Sequence, residues 1–193
     1  MAAADFNVSK LKTALAKGGA RPSLFQFEVT GAPLTAPSDL TNIKYYCQVS
    51  ALPPLTVTPI EKMYFGRTVK IPGDIVFGDL TTTIYQTESG DERFSIEKWM
   101  DSINGHVGNV SSLEASTTAS FMGKYSATGK LTQYPKSGAT TAGILSTVEF
   151  VDMWPQSVTE IALSYDTASD IEQFDVTWAY NHYELKIGST TYN

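Results

Sequence analysis

The sequence predicts a β-rich, mainly antiparallel domain in which one amphipathic helix covers an open end or face of a barrel or sandwich. Three observations carry that prediction. Apolar and polar residues alternate in run after run, most plainly in Phe174, Val176, Trp178 and Tyr180 against Asp175, Thr177, Ala179 and Asn181. Charged residues are only 18% of the chain, below the ~25% of an average soluble domain, and Ser and Thr fill the gap. Strands also outnumber crossover helices too heavily for a parallel sheet. The chain has 193 residues, of which 42% are hydrophobic. That suffices for one domain over 1–193 with a packed core, and it excludes disorder of the whole chain.

Residues 5–16 read as a short helix, with Phe6, Val8, Leu11 and Leu15 near one stripe and Gly18-Gly19 ending it. A helix this short is marginal alone, so residues 1–20 need something to dock on, in their own domain or in a neighbouring subunit. Phe25, Phe27 and Val29 then mark a half-buried strand, and Gly31 to Asp39 a loop. A second strand is expected through Ile43 to Val49. The prolines of Leu52-Pro53-Pro54 close it, because proline cannot sit inside a sheet. Residues 52–74 are an extended arm with a hairpin, projecting from the domain, or else an ordinary long connection. Ile75 to Gln86 is a Thr-rich strand with Leu80, Thr82 and Ile84 on one face.

Asp91 to about Ile103 is the best helix. It has an acidic first turn suited to the helix dipole and an apolar face of Phe94, Ile96, Trp99, Met100 and Ile103. The Ser/Thr/Ala/Gly-rich residues 105–123 read as a mobile loop. Further strands are expected at Tyr125–Gln133, Gly143–Met153 and Thr159–Tyr165, before the last one around Trp178.

Charge is unevenly spread. The formal net charge is −6, which argues against a protein that grips nucleic-acid phosphates. Yet residues 1–74 hold eight bases, among them Lys10, Lys12, Arg21, Lys62, Arg67 and Lys70, against five acids. Residues 137–185 hold eight acids and no base. Either these are two solvated faces, or the basic face of one copy meets the acidic face of another and the contact propagates head to tail. On the second reading the six bases named above are the inter-subunit contact residues.

Chemistry is not visible. His106 and His182 belong to no metal-binding spacing, and no nucleophile elbow, Walker loop or dinucleotide fingerprint is present. Asp170 and Glu172 share a strand face, but such a pair is far more often solvation than glycosidase machinery. The expectation is therefore no enzyme, no cofactor and no metal. The single Cys47 forms no internal disulfide and reads as a structural thiol in a reducing compartment. Without a signal peptide or an apolar stretch of ~20 residues, the chain is expected to have no membrane segment and to fold in a cytoplasm.

Three segments, in order, resemble the tail tube proteins of contractile-tailed bacteriophages, the T-even-like group above all. They are Ala20-Arg21-Pro22-Ser23-Leu24-Phe25-Gln26-Phe27-Glu28-Val29; Cys47-Gln48-Val49-Ser50-Ala51-Leu52-Pro53-Pro54 leading to Arg67-Thr68-Val69-Lys70-Ile71-Pro72-Gly73-Asp74; and Met153-Trp154-Pro155-Gln156-Ser157-Val158 followed by Glu172-Gln173-Phe174-Asp175-Val176-Thr177. The resemblance implies two antiparallel sheets packed orthogonally as a small barrel or sandwich, flanked by one helix, with a short N-terminal helix and a projecting arm. It further implies six copies in a ring, with rings stacking head to tail as the rigid inner tube of a virion tail, assembled in the host cytoplasm. The implied partners are other copies, the tail sheath, and the baseplate and terminator proteins. Phage DNA would pass down the lumen without specific binding. Thr81, Thr83, Asp175 and Thr177 are the expected lumen-lining residues, since an acidic or hydroxyl surface does not hold phosphates. Ring-forming tube proteins of type VI secretion systems and phage-derived contractile particles share the implied architecture. A β-sandwich enzyme or carbohydrate binder is the reading from another class.

Overall fold

The computed structural model describes residues 8–16, 18–33, 40–106, 108, 125–137, 144–167, 170–187 and 190–192. The chain runs α1 (Val8–Ala14), β1 (Phe25–Thr30), the helical turn α2 (Ile43–Tyr46), β2 (Cys47–Ser50), β3 (Leu55–Tyr64), β4 (Arg67–Phe77) and β5 (Leu80–Tyr85). It continues with α3 (Asp91–Ile103), β6 (Ala127–Gln133), β7 (Ser146–Val158), β8 (Gln173–Ala179), β9 (His182–Ile187) and β10 (Thr190–Tyr192). The fold is mainly β with antiparallel pairing, as the alternating runs predict.

Two sheets share the long strand β7. Its first half pairs with β6 and β9, which carry β1 and β10 outward. Its second half pairs with β8, and that second sheet continues through β5 to β2. The change of sheet occurs at Asp152, whose φ of 55° is left-handed, a conformation Asp and Asn tolerate better than other side chains. The carboxylate is held in place: Asn181 Nδ2 donates to its Oδ2 at 2.9 Å and Ser126 Oγ to its Oδ1 at 3.3 Å. A strand that bends from one sheet into the other is how corners of crossed sandwiches are made. Pro155 follows without penalty, because β7 is the edge of the second sheet there.

The apolar faces of both sheets and of α3 meet at Trp178, which is fully buried. Its ring lies 6.0 Å from Phe27 of the first sheet and 5.9 Å from Trp99 of α3. Its indole N–H donates to Thr82 Oγ1 at 2.9 Å, and that of Trp99 to the Tyr125 carbonyl at 2.8 Å, so neither buried donor is left unpaired. Along β5, Leu80, Thr82 and Ile84 point into the core, as their spacing predicts. Cys47 is half-buried on β2, and burial pushes its thiol up to about 12. It is protonated at neutral pH, in keeping with a structural thiol.

Four local expectations are corrected. Ile43–Tyr46 is a helical turn and not the start of a strand, because Ile43 is buried against the rest of the core while Tyr45 is exposed. Residues 75–77 belong to β4, so the strand expected at 75–86 is only β5. Thr159–Tyr165 forms no strand; it runs irregularly into a 3-10 turn at Tyr165–Thr167. Phe94, assigned to the buried face of α3, is exposed, whereas Ile96 and Trp99 are buried. The C-terminal strands β9 and β10 were not expected from the sequence. Most of the loop expected at 105–123 lies outside the described residues.

Candidate assembly surfaces

Three surfaces hold the sequence-derived candidates. The first is the hairpin β3–β4, which among the described residues pairs with no other strand. All of its strand residues are exposed except Gly73 and Phe77. A two-stranded ribbon with no third strand is marginal in water, yet this one carries Leu55, Val57, Ile60, Val69, Ile71, Ile75 and Val76 in the open. Register shows how they are arranged. From Pro59↔Pro72 outward, Ile60, Lys62 and Tyr64 share one face with Arg67, Val69 and Ile71. Glu61, Met63, Thr68 and Lys70 share the other, where Lys70 Nζ lies 3.2 Å from Glu61 Oε1.

A bulge between Val57 and Pro59 sets Gly73 and Asp74 opposite Thr58. A Cβ at Gly73 would sit 2.6 Å from the Thr58 carbonyl oxygen, so only glycine fits. At the tip, Phe65 (φ 45°) and Gly66 (φ 75°) form the two-residue turn with both φ positive that suits a hairpin. Phe65 is 90% exposed. A bulky residue in a left-handed turn costs about 1–2 kcal/mol, and such strain persists where something other than monomer stability retains it. Sequence reading missed this residue; the Phe-Gly pair between alternating strands was its signal.

The second surface is α1, followed by Arg21. Lys10 and Lys12 are exposed on it, and so are Val8, Leu11 and, just past its end, Leu15. The structure thus puts the six candidate contact bases on two elements: Lys10 and Lys12 with Arg21 near the N-terminus, and Lys62, Arg67 and Lys70 on the hairpin.

The third is the outer face of the second sheet. Thr81 stands opposite Thr177 and Thr83 opposite Asp175, and Thr83 Oγ1 donates to Asp175 Oδ1 at 2.6 Å. All four candidates therefore lie side by side, away from the core. Val49 and Ser157 extend the row to the edges of the sheet. No Lys or Arg occurs on β2, β5, β8 or the second half of β7. The sheet ends in short edges at β2 and at Trp154–Val158. By contrast, the first sheet carries Lys130 and Lys186, the latter hydrogen-bonded to Glu149.

Between the end of β7 and the start of β8 lie 159–167 and 170–172, where Leu163, Tyr165 and Ile171 are exposed. Asp170 and Glu172, the only carboxylate pair singled out, sit there in the open beside a shallow groove. His106 is exposed with Nδ1 3.2 Å from Asp101 Oδ1, and His182 opens β9. Among the described residues no three His, Cys, Asp or Glu side chains gather to hold a metal, and no helix is long and apolar enough to cross a membrane.

Comparison with known proteins matches the chain to a family. The profile of the family described as phage tail tube protein matches residues 5–186. The tail tube protein gp19 of Enterobacteria phage T4 is 28% identical over 165 residues, covering 86% of this chain and 91% of its own. That of Enterobacteria phage T6 is 29% identical over the same length. Among solved structures, a chain of the sheath-tube complex of an extracellular contractile injection system, PVC, superposes with a TM-score of 0.61 at 15% identity. It covers 95% of this chain and 99% of that one; at this identity the likeness is one of fold. The relatives are structural proteins and not enzymes. The chain belongs to the phage tail tube protein family, the structural proteins of the virion tail.

Proposed function

We propose that six copies of this chain close into a ring through the edges of the second sheet, and that rings stack head to tail as the inner tube of a contractile tail. The observation that carries the reading is the outer face of that sheet. It offers hydroxyl groups and one carboxylate, has no basic residue on its strands, and among the described residues ends in unpaired edges on both sides. Edge strands left open are templates for pairing with another chain. A face without cations, turned inward, lets DNA pass without capturing its phosphates. Thr81, Thr83, Asp175 and Thr177 then line the lumen. The hairpin and residues 1–20 reach neighbouring copies, and the sheath surrounds the stack, with baseplate and terminator proteins at its ends.

Electron microscopy of the concentrated protein with baseplate and sheath components tests this. Hollow rods of uniform width, whose density places the β5–β8 face on the inside, are the expected result. Isolated globules under every condition, or a basic lumen, overturn it.

The hairpin tip gives a second prediction. Phe65→Asn relieves the left-handed strain, so the monomer should be at least as stable. It also removes the exposed aromatic ring, and the concentration at which rods form should rise about tenfold, the scale of one modest aromatic contact. Light scattering against concentration measures it; unchanged polymerisation would remove Phe65 from the interface.

A further inference from the structure

We infer that the outer half of the hairpin docks, by one face only, on the 159–172 segment of a second copy. This rests on the tube reading above and names the contact between successive subunits along the stack.

The two faces of the hairpin's outer half are chemically different. On one, the Glu61–Lys70 ion pair is self-contained. On the other, Lys62 and Arg67 lie among Ile60, Tyr64, Val69 and Ile71, with no carboxylate on that face from 59 to 72. The face is both apolar and cationic. Its complement lies on the same chain. In 159–172, Leu163, Tyr165 and Ile171 are exposed among Glu160, Asp166, Asp170 and Glu172, and there is no Lys or Arg in the stretch. The nearest cation, Arg93, is turned to the start of the segment, donating to the Thr159 carbonyl at 2.8 Å while paired with Glu97 at 2.7 Å. Exposed apolar groups ringed by acid thus match exposed apolar groups flanked by base.

Placement separates the two surfaces along the molecule. The hairpin leaves the second sheet where Gly78 N donates to the Pro54 carbonyl at 3.0 Å, just before Leu80 opens β5. The acidic segment is anchored past the other end of β5, where Gln86 N donates to the Glu172 carbonyl at 2.9 Å and Thr159 N to that of Asp175 at 2.9 Å. Six residues of β5 separate them, about 20 Å of strand. Both surfaces are exposed in the single chain, so neither covers the other there. Copies in the same orientation can bring them together, and each then presents both surfaces again, which is a heterologous, propagating contact.

The test is reciprocal charge reversal. Variant one is Lys62→Glu with Arg67→Glu; variant two is Glu160→Lys with Asp170→Lys and Glu172→Lys. All five residues are exposed, so both chains should fold, checked by circular dichroism and thermal melting. Each alone should need on the order of 100-fold more protein to form rods, because like charges then face each other. Mixed one to one, the reversed hairpin of variant one meets the reversed segment of variant two, and the two native surfaces meet in the next step. Rods should return, as they should for one chain carrying all five changes. Rods from either variant alone at the wild-type concentration overturn the contact. So does loss in both without rescue in the mixture or the combined chain. If the wild-type protein forms no rods at all, the tube reading itself has failed and the contact goes with it.

Discussion

Replacing Thr56–Val76 by an Asn-Gly turn between Leu55 and Phe77 is expected to abolish rod formation while leaving the melting temperature within about 2 °C. Leu55 and Phe77 stand opposite each other in register, so a short turn can join them. Among the described residues nothing in the core depends on what is removed, since β3 and β4 pair only with each other and the side chains removed are exposed. Changes away from buried contacts are usually within about 0.5 kcal/mol, which for a chain of this size is about 1–2 °C. Phe77 is kept because it packs edge-on to Tyr183 with centroids 5.4 Å apart. Assembly should respond very differently. A ribbon that exposes Ile60, Val69 and Ile71 to water gains little by existing in the monomer, so its apolar area is available for another copy. Calorimetry of the dilute protein and microscopy of the concentrated one separate the two effects. Rods of normal length from the shortened chain would show that stacking runs through other surfaces.

What the sequence made legible follows from where each pattern finds its partner. Phe174, Val176 and Trp178 alternate because the core of the same chain buries them, and the strand is found there. The helix at Asp91–Ile103 was readable for the same reason, apart from Phe94, which helical spacing puts on the opposite side of the helix from Ile96, Trp99, Met100 and Ile103 and so in solvent. Ile161, Leu163 and Tyr165 also alternate, yet they form no strand, and Leu163 and Tyr165 are exposed. Their period signalled burial, and among the described residues only Ile161 finds it, packed against the core. Ile43–Tyr46 is too short for either period to decide, and the burial of Ile43 decided it. β9 carries the same alternation in Tyr183, Leu185 and Ile187, with charged Glu184 and Lys186 on the opposite face. Among the candidate site residues, alternation placed Thr81, Thr83, Asp175 and Thr177 on common strand faces. Only the β5–β8 register brings the two rows together.

Trp178→Ala is expected to be the most destabilising single substitution in the chain. Deleting a buried Trp side chain costs about 3–5 kcal/mol, through lost transfer energy and the cavity left behind. Here the cavity would open where both sheets and α3 converge, with Phe27 and Trp99 on its walls. Backbone on three elements would have to move to refill it. The Thr82 hydroxyl would also lose its indole donor in a fully buried site. At about 2–4 °C per kcal/mol, melting should fall by roughly 6–20 °C. Two controls divide the loss between volume and hydrogen bond. Trp178→Phe keeps an aromatic ring but strands Thr82, at a cost of about 1–3 kcal/mol for the unpaired polar group. Adding Thr82→Val to it removes the stranded hydroxyl and should recover most of that share. If Trp178→Phe and the double variant melt together, the hydrogen bond contributes nothing and the cost is packing alone. If Trp178→Ala melts like the wild type, this is not where the layers of the fold are joined.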